Sequence, residues 1–305
     1  MVVADGAQLI AGGRNVQSTY FGFGHQIAER NYIDTDLFVQ GDAAAQARSY
    51  FRALWESEHL RPRSARAKPE AIDRAAQELD RHKEWLDARV ERARNDPARE
   101  GQPLAEVGAV RFIHDPIAGG TATRKTAAEL RELLDRARES VVIESPYLVP
   151  TRALRRGLRE AIARGVRIRI LTNSLASTDN LWPQAGYVGD KPGLVRSGVE
   201  LWEYQGPECL HAKTAVIDDE VVIVGSYNLD PRSQNLNREL ALVLRDPTVA
   251  ADLRGRMDAH LNSARRIDAR GFPVGSNEPY PGVPRSKVWK LRLLRFIAPF
   301  VRGQL

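Results

Sequence analysis

From Gly108 onward the chain alternates short apolar runs rich in β-branched residues with longer amphipathic stretches, and this alternation narrows its fold more than any other feature. "VGAVRFIHD" reads as a strand, "TAAELRELLDRARES" as a helix, "VVIESPYLV" as a strand, "TRALRRGLREAIARG" as a helix and "VRIRILTNS" as a strand. A helical stretch near Pro183 to Ser197, the strand "VELWEY" and the hairpin "HAKTAVIDDEVVIVGS" follow. Strands separated by helices of about 10–15 residues need crossover connections, which place helices on both faces of a mainly parallel sheet. The expected fold class is therefore α/β. Ligands of such sheets bind beyond the carboxyl ends of the strands. "ESPYLVP" and "TNSLASTDN" fall at such ends, which makes Ser145, Tyr147, Asn173 and Ser174 the candidates for substrate contact.

The earlier part of the chain is patterned differently. Val2 to Ala4 and Leu9 to Ala11 read as two short strands turned at Asp5 and Gly6, followed by a strand near Leu37 to Val39. A helix from Asp42 carries Ala45, Tyr50 and Leu54 on its apolar side. Residues 61 to 100 are rich in Arg, Ala and Glu, with Ile72, Ala76, Leu79, Leu86 and Val90 at helical spacing. They predict one or two connecting helices packed through a thin apolar stripe. Acidic residues are interleaved throughout, so the basic ones read as a solvated face and nucleic acid is not the expected partner.

Composition sets the outer limits. With 43% hydrophobic and 28% charged residues the chain is globular, and a net charge of +6 favours a partner bearing phosphate. The single cysteine, Cys209, excludes an internal disulfide and a cysteine-rich zinc site, and reads as a small buried apolar group. No run reaches the ~18 apolar residues of a membrane-spanning helix, so membrane contact is expected to be peripheral.

The candidate chemistry lies in "HAKTAVIDDEVVIVGSYN". His211 and Lys213 stand two apart on a strand and leave the same face of the sheet. A neutral imidazole can attack phosphorus or pass a proton near pH 7, and an ammonium beside it neutralises phosphate oxygens. Asp218 and Asp219 occupy the turn, and the return strand ends at Gly225, Ser226 and Asn228. The glycine lets backbone approach a ligand closely, and the other two can donate hydrogen bonds to an oxyanion. Glu239, which opens the strand "ELALVL", is the expected carboxylate to hold His211 by its other nitrogen.

The whole string, H-x-K, four residues, D, six residues, G-S-x-N, resembles the phospholipase D superfamily. "VIESPYLVP", "RGVRIRILTNSLASTDN", "QAGY", "SGVELWEY" and "LHAKTAVIDDEVVIVGSYNLDPRSQNLNRELALV" are similar to the bacterial cardiolipin synthase group of the C type, over nearly the whole chain. The resemblance implies two motif copies in two similar half-domains, mainly parallel sheets flanked by helices, and one site at their interface. It also implies phosphatidyl transfer without metal or other cofactor, on phosphatidylglycerol or a similar phospholipid. One histidine takes the phosphatidyl group as phosphohistidine, the other protonates the leaving alcohol, and a second alcohol attacks. In relatives the first copy often supplies the nucleophile, which gives His211 the part of general acid and base. A phosphodiesterase hydrolysing phospholipid or nucleic acid, and a non-catalytic lipid-binding remnant, are the alternatives.

An internal repeat bears on the first half. With Asp5 laid on Asp218, Gly12 and Gly13 fall on Gly225 and Ser226, Asn15 on Asn228, and Asp34 on Glu239. This makes Asp5, Gly13, Asn15 and Asp34 a remnant of the first half-site. The same register puts the first lysine one residue before Met1 and its histidine two residues earlier still. None of His25, His59, His82, His114 and His260 is followed by lysine two places on. The expectation is a protein that extends upstream of Met1, an incomplete first half and impaired activity of these residues alone. The expected divisions are residues 1–60 for the first-half remnant, 61–107 for a helical connector, 108–265 for the second half-domain and 266–305 for a linker and amphipathic helix.

In that last segment, Trp289, Leu293, Phe296, Ile297 and Phe300 share one helical side and Arg285, Arg292, Arg295 and Arg302 the other, with Pro299 expected to end or kink the helix. Such a helix suits the interface of an anionic bilayer, and the linker "NEPYPGVPRS" favours an independent anchor. The expected location is peripheral, on the cytoplasmic side of the cell membrane. "GGTATRK" lacks the spacing of a phosphate loop and reads as the loop opening a helix.

Overall fold

The structure is a computed structural model that describes residues 1–22, 30–58, 68–94, 104–117 and 124–304. His25, His59 and all of "GGTATRK" before Arg124 lie outside the described residues. Residues 1–53 with 107–305 form one compact unit, and residues 54–106 form a second.

The first unit opens with the hairpin of β1 (Val2–Ala4) and β2 (Gln8–Gly12), turned at Asp5 and Gly6 with φ of 49° and 68°. Aspartate tolerates this left-handed conformation and glycine adopts it freely. β3 (Tyr32–Ile33) leaves this sheet, while β4 (Asp36–Gln40) pairs antiparallel with β2 and leads into α1 (Asp42–Trp55). Leu9 and Ala11 on β2, Val39 on β4 and Ala43, Ala44 and Ala47 on α1 bury one face against Phe112 and Leu242. The two-residue period of the strands and the three-to-four-residue period of the helix place these groups on one side. In the second unit, α2 (Pro69–Arg94) is a single helix with proline at its first position, where the missing N–H costs nothing. Ile72 and Ala76 of the expected apolar stripe are exposed there, and the side chains of Leu79, Leu86 and Val90 lie outside the described ones.

The main sheet has eight strands in the order β13 (Ala264–Arg266), β8 (Glu200–Tyr204), β7 (Arg167–Asn173), β6 (Ser140–Glu144), β10 (Thr214–Ile217), β11 (Val221–Gly225), β12 (Leu240–Arg245) and β5 (Arg111–His114). It is mixed, not mainly parallel as the helix-strand alternation suggested. Within it only β6, β7 and β8 run parallel, joined by the crossover helices α4 (Arg152–Ala163) and α5 (Leu181–Arg196). β10 instead enters beside β6 in the antiparallel sense and returns through a tight hairpin, which needs no crossover. Ala215, Ile217, Val221 and Ile223 point toward α4, α5 and α3 (Lys125–Arg136), whereas Val216, Val222 and Val224 point toward α7 (Pro247–Leu261). Helices thus pack on both faces, which explains the unbroken apolar runs of the sequence.

The repeat read from sequence is also a repeat of register. Val3 pairs with Leu9 as Val216 pairs with Val222, and Gly12 faces Asp36 as Gly225 faces Ala241. A Cβ at Gly12 would collide with the Thr35 carbonyl, and one at Gly225 with the Leu240 carbonyl, so both positions require glycine for the same backbone approach. Asp218, the counterpart of Asp5, has φ of 53°.

α8 (Arg285–Val301) is docked and is not the independent anchor that its linker suggested. Leu291 and Ala298 are buried with Val149, Leu175 and Ala185 of the main unit, and the helix continues through Pro299 to Val301. Arg302, expected on a free basic face, donates to the Pro150 carbonyl at 3.2 Å and pairs with Asp190 on α5. Trp289, Phe296 and Phe300 stay 62%, 76% and 89% exposed on the outer side. No described helix is long and apolar enough to cross a membrane.

A largely buried ionic contact ties α7 to the start of the central hairpin. His260 Nδ1 lies 2.7 Å from Glu144 Oε1, and Thr214 donates to the same carboxylate at 3.1 Å. The hydrogen bond to Glu144 outweighs burial and raises the histidine above its ordinary 6.5. A raised histidine contributes stability that is complete below its unfolded pKa and lost as pH rises through the folded one. His260→Ala should therefore cost about 1.5–3 kcal/mol in urea denaturation near pH 5.5. The cost should shrink as the pH is raised toward about 9, and a cost independent of pH would exclude the charged pair.

Candidate functional site

The candidate site forms where two stretches far apart in sequence run side by side. β9 (Cys209–Leu210) pairs parallel with β3; the Cys209 amide donates to the Asn31 carbonyl at 3.0 Å and the His211 amide to the Ile33 carbonyl at 2.7 Å. This register sets Asp34 beside His211. The side chain of Asn173, buried at the end of β7, grips the other edge of β9, donating to the Leu210 carbonyl at 2.7 Å and accepting its N–H at 3.0 Å.

His211 Nδ1–H donates to Asp34 Oδ2 at 2.7 Å, and the Asp34 side chain is fully buried. The Thr35 amide holds the other carboxylate oxygen at 2.9 Å. With its proton on Nδ1, the imidazole presents an unprotonated Nε2, which accepts from the Tyr20 hydroxyl at 3.2 Å. Tyr20 lies in a short turn of helix at Ser18–Phe21, and Asn15 Nδ2 donates to its hydroxyl at 3.1 Å. Tyr20 stacks on Tyr32 at 4.4 Å, and both rings meet His211 edge-on at 5.0 and 5.4 Å. Tyr147 meets it at 6.5 Å, and Tyr32 and Tyr147 both donate to Asp179 at 3.1 and 3.0 Å. The ammonium of Lys213 lies against the ring, 2.5 Å from Nδ1 and 3.1 Å from Nε2, and donates to the His211 carbonyl.

Gly13, Asn15, Ser226, Asn228 and Glu239 line an open pocket of about 440 Å³ with His211 and Lys213. Burial depresses the His211 pKa; the Asp34 hydrogen bond opposes that effect and Lys213 adds to it. Burial also lowers Lys213 to about 8, against the pull of Asp34 and Glu239. Near neutral pH the pocket therefore combines a neutral imidazole with a bare nitrogen and an ammonium that is still mostly charged. This pairing can attack phosphorus while neutralising its oxygens.

Other expected residues are placed elsewhere. Glu239 does not hold His211; it accepts from Asn237 at 3.0 Å and from Ser226, and burial raises its pKa. The carboxylate on His211 comes instead from Asp34, the counterpart of Glu239 in the repeat. Asp218 stands seven positions beyond His211, about 23 Å along extended chain at ~3.3 Å per residue, and it is not in the pocket. Its carboxylate accepts from the amides of Glu139 at 2.8 Å and Ser140 at 3.0 Å, and so ties the turn to the start of β6. Burial opposes its ionisation, but these donors and the Arg138 amide hold its pKa below the usual range. Asp5 sits in an exposed turn. Of the four substrate-contact candidates only Tyr147 reaches His211. Asn173 holds β9, Ser145 donates to the Tyr147 carbonyl at 2.8 Å, and Ser174 accepts from the Ala176 amide at 3.1 Å, so these buried groups are satisfied internally.

Sequence reasoning missed Tyr20, Tyr32, Asp179, Asn237 and Arg238, the last two of which also line the pocket. Tyr32 precedes Asp34 by two positions as Asn237 precedes Glu239, so the repeat and the two-residue period carried a signal for both. Tyr20 and Asp179 have no comparable pattern.

The chain is also similar to known proteins. Residues 130–261 match the family model described as cardiolipin synthase, PLD-like domain. Cardiolipin synthase C of Escherichia coli K12 is 31% identical over 275 residues, covering 81% of this chain and 58% of that protein. An uncharacterized protein of Helicobacter pylori 26695 is 26% identical over 289 residues, covering 85% of this chain and 56% of its own length. The chain thus spans somewhat more than half the length of these curated relatives. The crystal structure of phosphatidylserine synthase from Haemophilus influenzae Rd KW20 shares the fold with a TM-score of 0.64 at 15% identity, over 98% of this chain and 69% of that one.

The Asp34 contact gives a direct test. Asp34→Asn removes the charge that opposes the effect of burial, so the His211 pKa should fall further below its ordinary value. Titration of the His211 ring by NMR measures it, and an unchanged pKa would deny the buried contact.

Proposed function

The chain belongs to the phospholipase D superfamily, with a domain of the cardiolipin synthase type, and from that premise we propose that it transfers phosphatidyl groups from one alcohol to another through His211. The observation that carries this reading is the fixed imidazole: Asp34 on Nδ1, a bare Nε2 and Lys213 alongside. In the proposed first step Nε2 bonds to the phosphorus of the donor phospholipid as the bond to the leaving alcohol breaks, and that oxygen takes up a proton from water in the open pocket. An acceptor alcohol then attacks phosphorus and gives up its proton to water as the P–N bond breaks. Lys213, Ser226 and Asn228 neutralise or donate to the phosphoryl oxygens, and Asp34 stabilises the charge that develops on the ring. Phosphatidylglycerol or a similar phospholipid is the proposed substrate. The 305 residues contain one H-x-K, so no second histidine of that motif protonates the leaving alcohol, and turnover by this chain alone is proposed to be slow.

The intermediate is the point to test. A phospholipid donor labelled in its phosphate should leave an acid-labile, base-stable label on the wild-type chain, and none on His211→Ala. The labelling should survive chelator and should decline as pH rises through about 8, where Lys213 loses its proton. Equal labelling of His211→Ala would overturn the mechanism, and release of phosphatidic acid in place of lipid exchange would favour hydrolysis.

The outer side of α8 supports a peripheral membrane contact. Trp289, Leu293, Phe296, Ile297 and Phe300 are exposed beside the exposed cations Lys290, Arg292 and Arg295, a combination suited to an anionic bilayer. Phe296→Ser with Phe300→Ser should weaken sedimentation with anionic vesicles by more than about tenfold, from the apolar area lost. Undiminished binding would remove α8 from the membrane surface.

A further inference from the structure

The sheet face that carries Lys213 is incompletely covered. Between α3 and α4, above β6, β10 and β11, lies a cleft of about 390 Å³. Its floor includes Ile143, Ala215 and Ile223, and its walls include Ala128 and Leu130 on α3 and Ala153 on α4. Ile143 belongs to a central strand yet is only partly buried, and Ala128 and Ala153 are exposed on their helices. Small side chains facing one another across a helix-sheet contact leave space that neither layer fills. An empty apolar space of this size forfeits packing contacts, and water within it finds few polar partners.

One end of the cleft is polar. Lys213 lines both the cleft and the open pocket around His211, and Gly225 lines the cleft immediately before Ser226, which lines the pocket. Along β10 the lining runs from Lys213 to Ile217, about 13 Å at ~3.3 Å per residue. A cation at the mouth and an apolar interior behind it match an amphiphile with an anionic head and a hydrocarbon tail. The volume falls within the ~300–1,000 Å³ of ordinary ligand sites.

We propose that this cleft holds an acyl chain of the phospholipid whose phosphate is seated at His211 and Lys213, an inference that rests on the phosphatidyl-transfer reading. The chain would enter beside Lys213 and lie along Ala215 toward Ile217, so the cleft selects for acyl length while the pocket reads the phosphate.

Binding to the 305-residue chain, with no turnover required, tests this. Inorganic phosphate, hexyl phosphate and decyl phosphate are titrated by calorimetry below their micelle-forming concentrations. Decyl phosphate should bind up to about 200-fold more tightly than hexyl phosphate, from four further buried methylenes. Ala128→Phe and, separately, Ala153→Phe should reduce that gain to below about tenfold with inorganic phosphate unaffected, because bulk at these exposed wall positions enters the cleft rather than the core. Phe296→Ser with Phe300→Ser should leave the gain intact. A gain that persists in both folded cleft variants, or is lost only in the α8 variant, or is absent from the wild type, overturns the proposal. Failure of every phosphate to bind, while decanol binds more tightly than hexanol and both cleft variants abolish the difference, would sink the phosphatidyl reading and leave the cleft as an apolar-chain site.

Discussion

The hydrogen bond from His211 to Asp34 joins side chains 177 positions apart, and the rest of the candidate site is arranged around it. It exists because β3 leaves the small sheet and pairs with β9, placing the carboxylate opposite the ring within a region shielded from water. Burial alone would leave the imidazole indifferent as to which nitrogen carries the proton. The carboxylate decides that question, and the Tyr20 hydroxyl meets the nitrogen that is left unprotonated.

The two hairpins show how one local solution is used twice. Shared register, an aspartate at positive φ in each turn and a glycine pressed against the neighbouring strand recur in both. Beyond the return strands the two copies diverge: in one Ser226 donates to Glu239, and in the other Gly13 leaves room for the Asp34 carboxylate and the Lys213 stem. The same backbone frame therefore supports one acid bound within its own half and another directed across the interface.

Much of this was legible in the residues, and the boundary is physical. Period-two and helical spacing located the strands and helices because burial on one side imposes those periods, and the motif spacing brought His211, Lys213, Ser226 and Asn228 to one pocket. Strand direction was less legible, since β10 has the same apolar run whether it lies parallel or antiparallel to β6. The partner of His211 was misassigned to Glu239, as sequence distance favours the nearer carboxylate while the contact depends on a pairing between β3 and β9, each only two residues long. Asn173 and Ser174 looked like ligand contacts because polar residues at strand ends commonly are, yet their partners are backbone groups that only the fold supplies.

The parallel pairing of β3 with β9 has a kinetic consequence. Closing a loop of this length is entropically costly and contributes little until both flanking sheets exist, so it belongs to the late stages of folding. A chain in which the second hairpin has formed but this pairing has not would display His211 and Lys213 to solvent without Asp34. Its imidazole would exchange freely between tautomers and titrate as an ordinary histidine. The protonation behaviour of one ring thus reports whether the most distant segments of the chain have found each other.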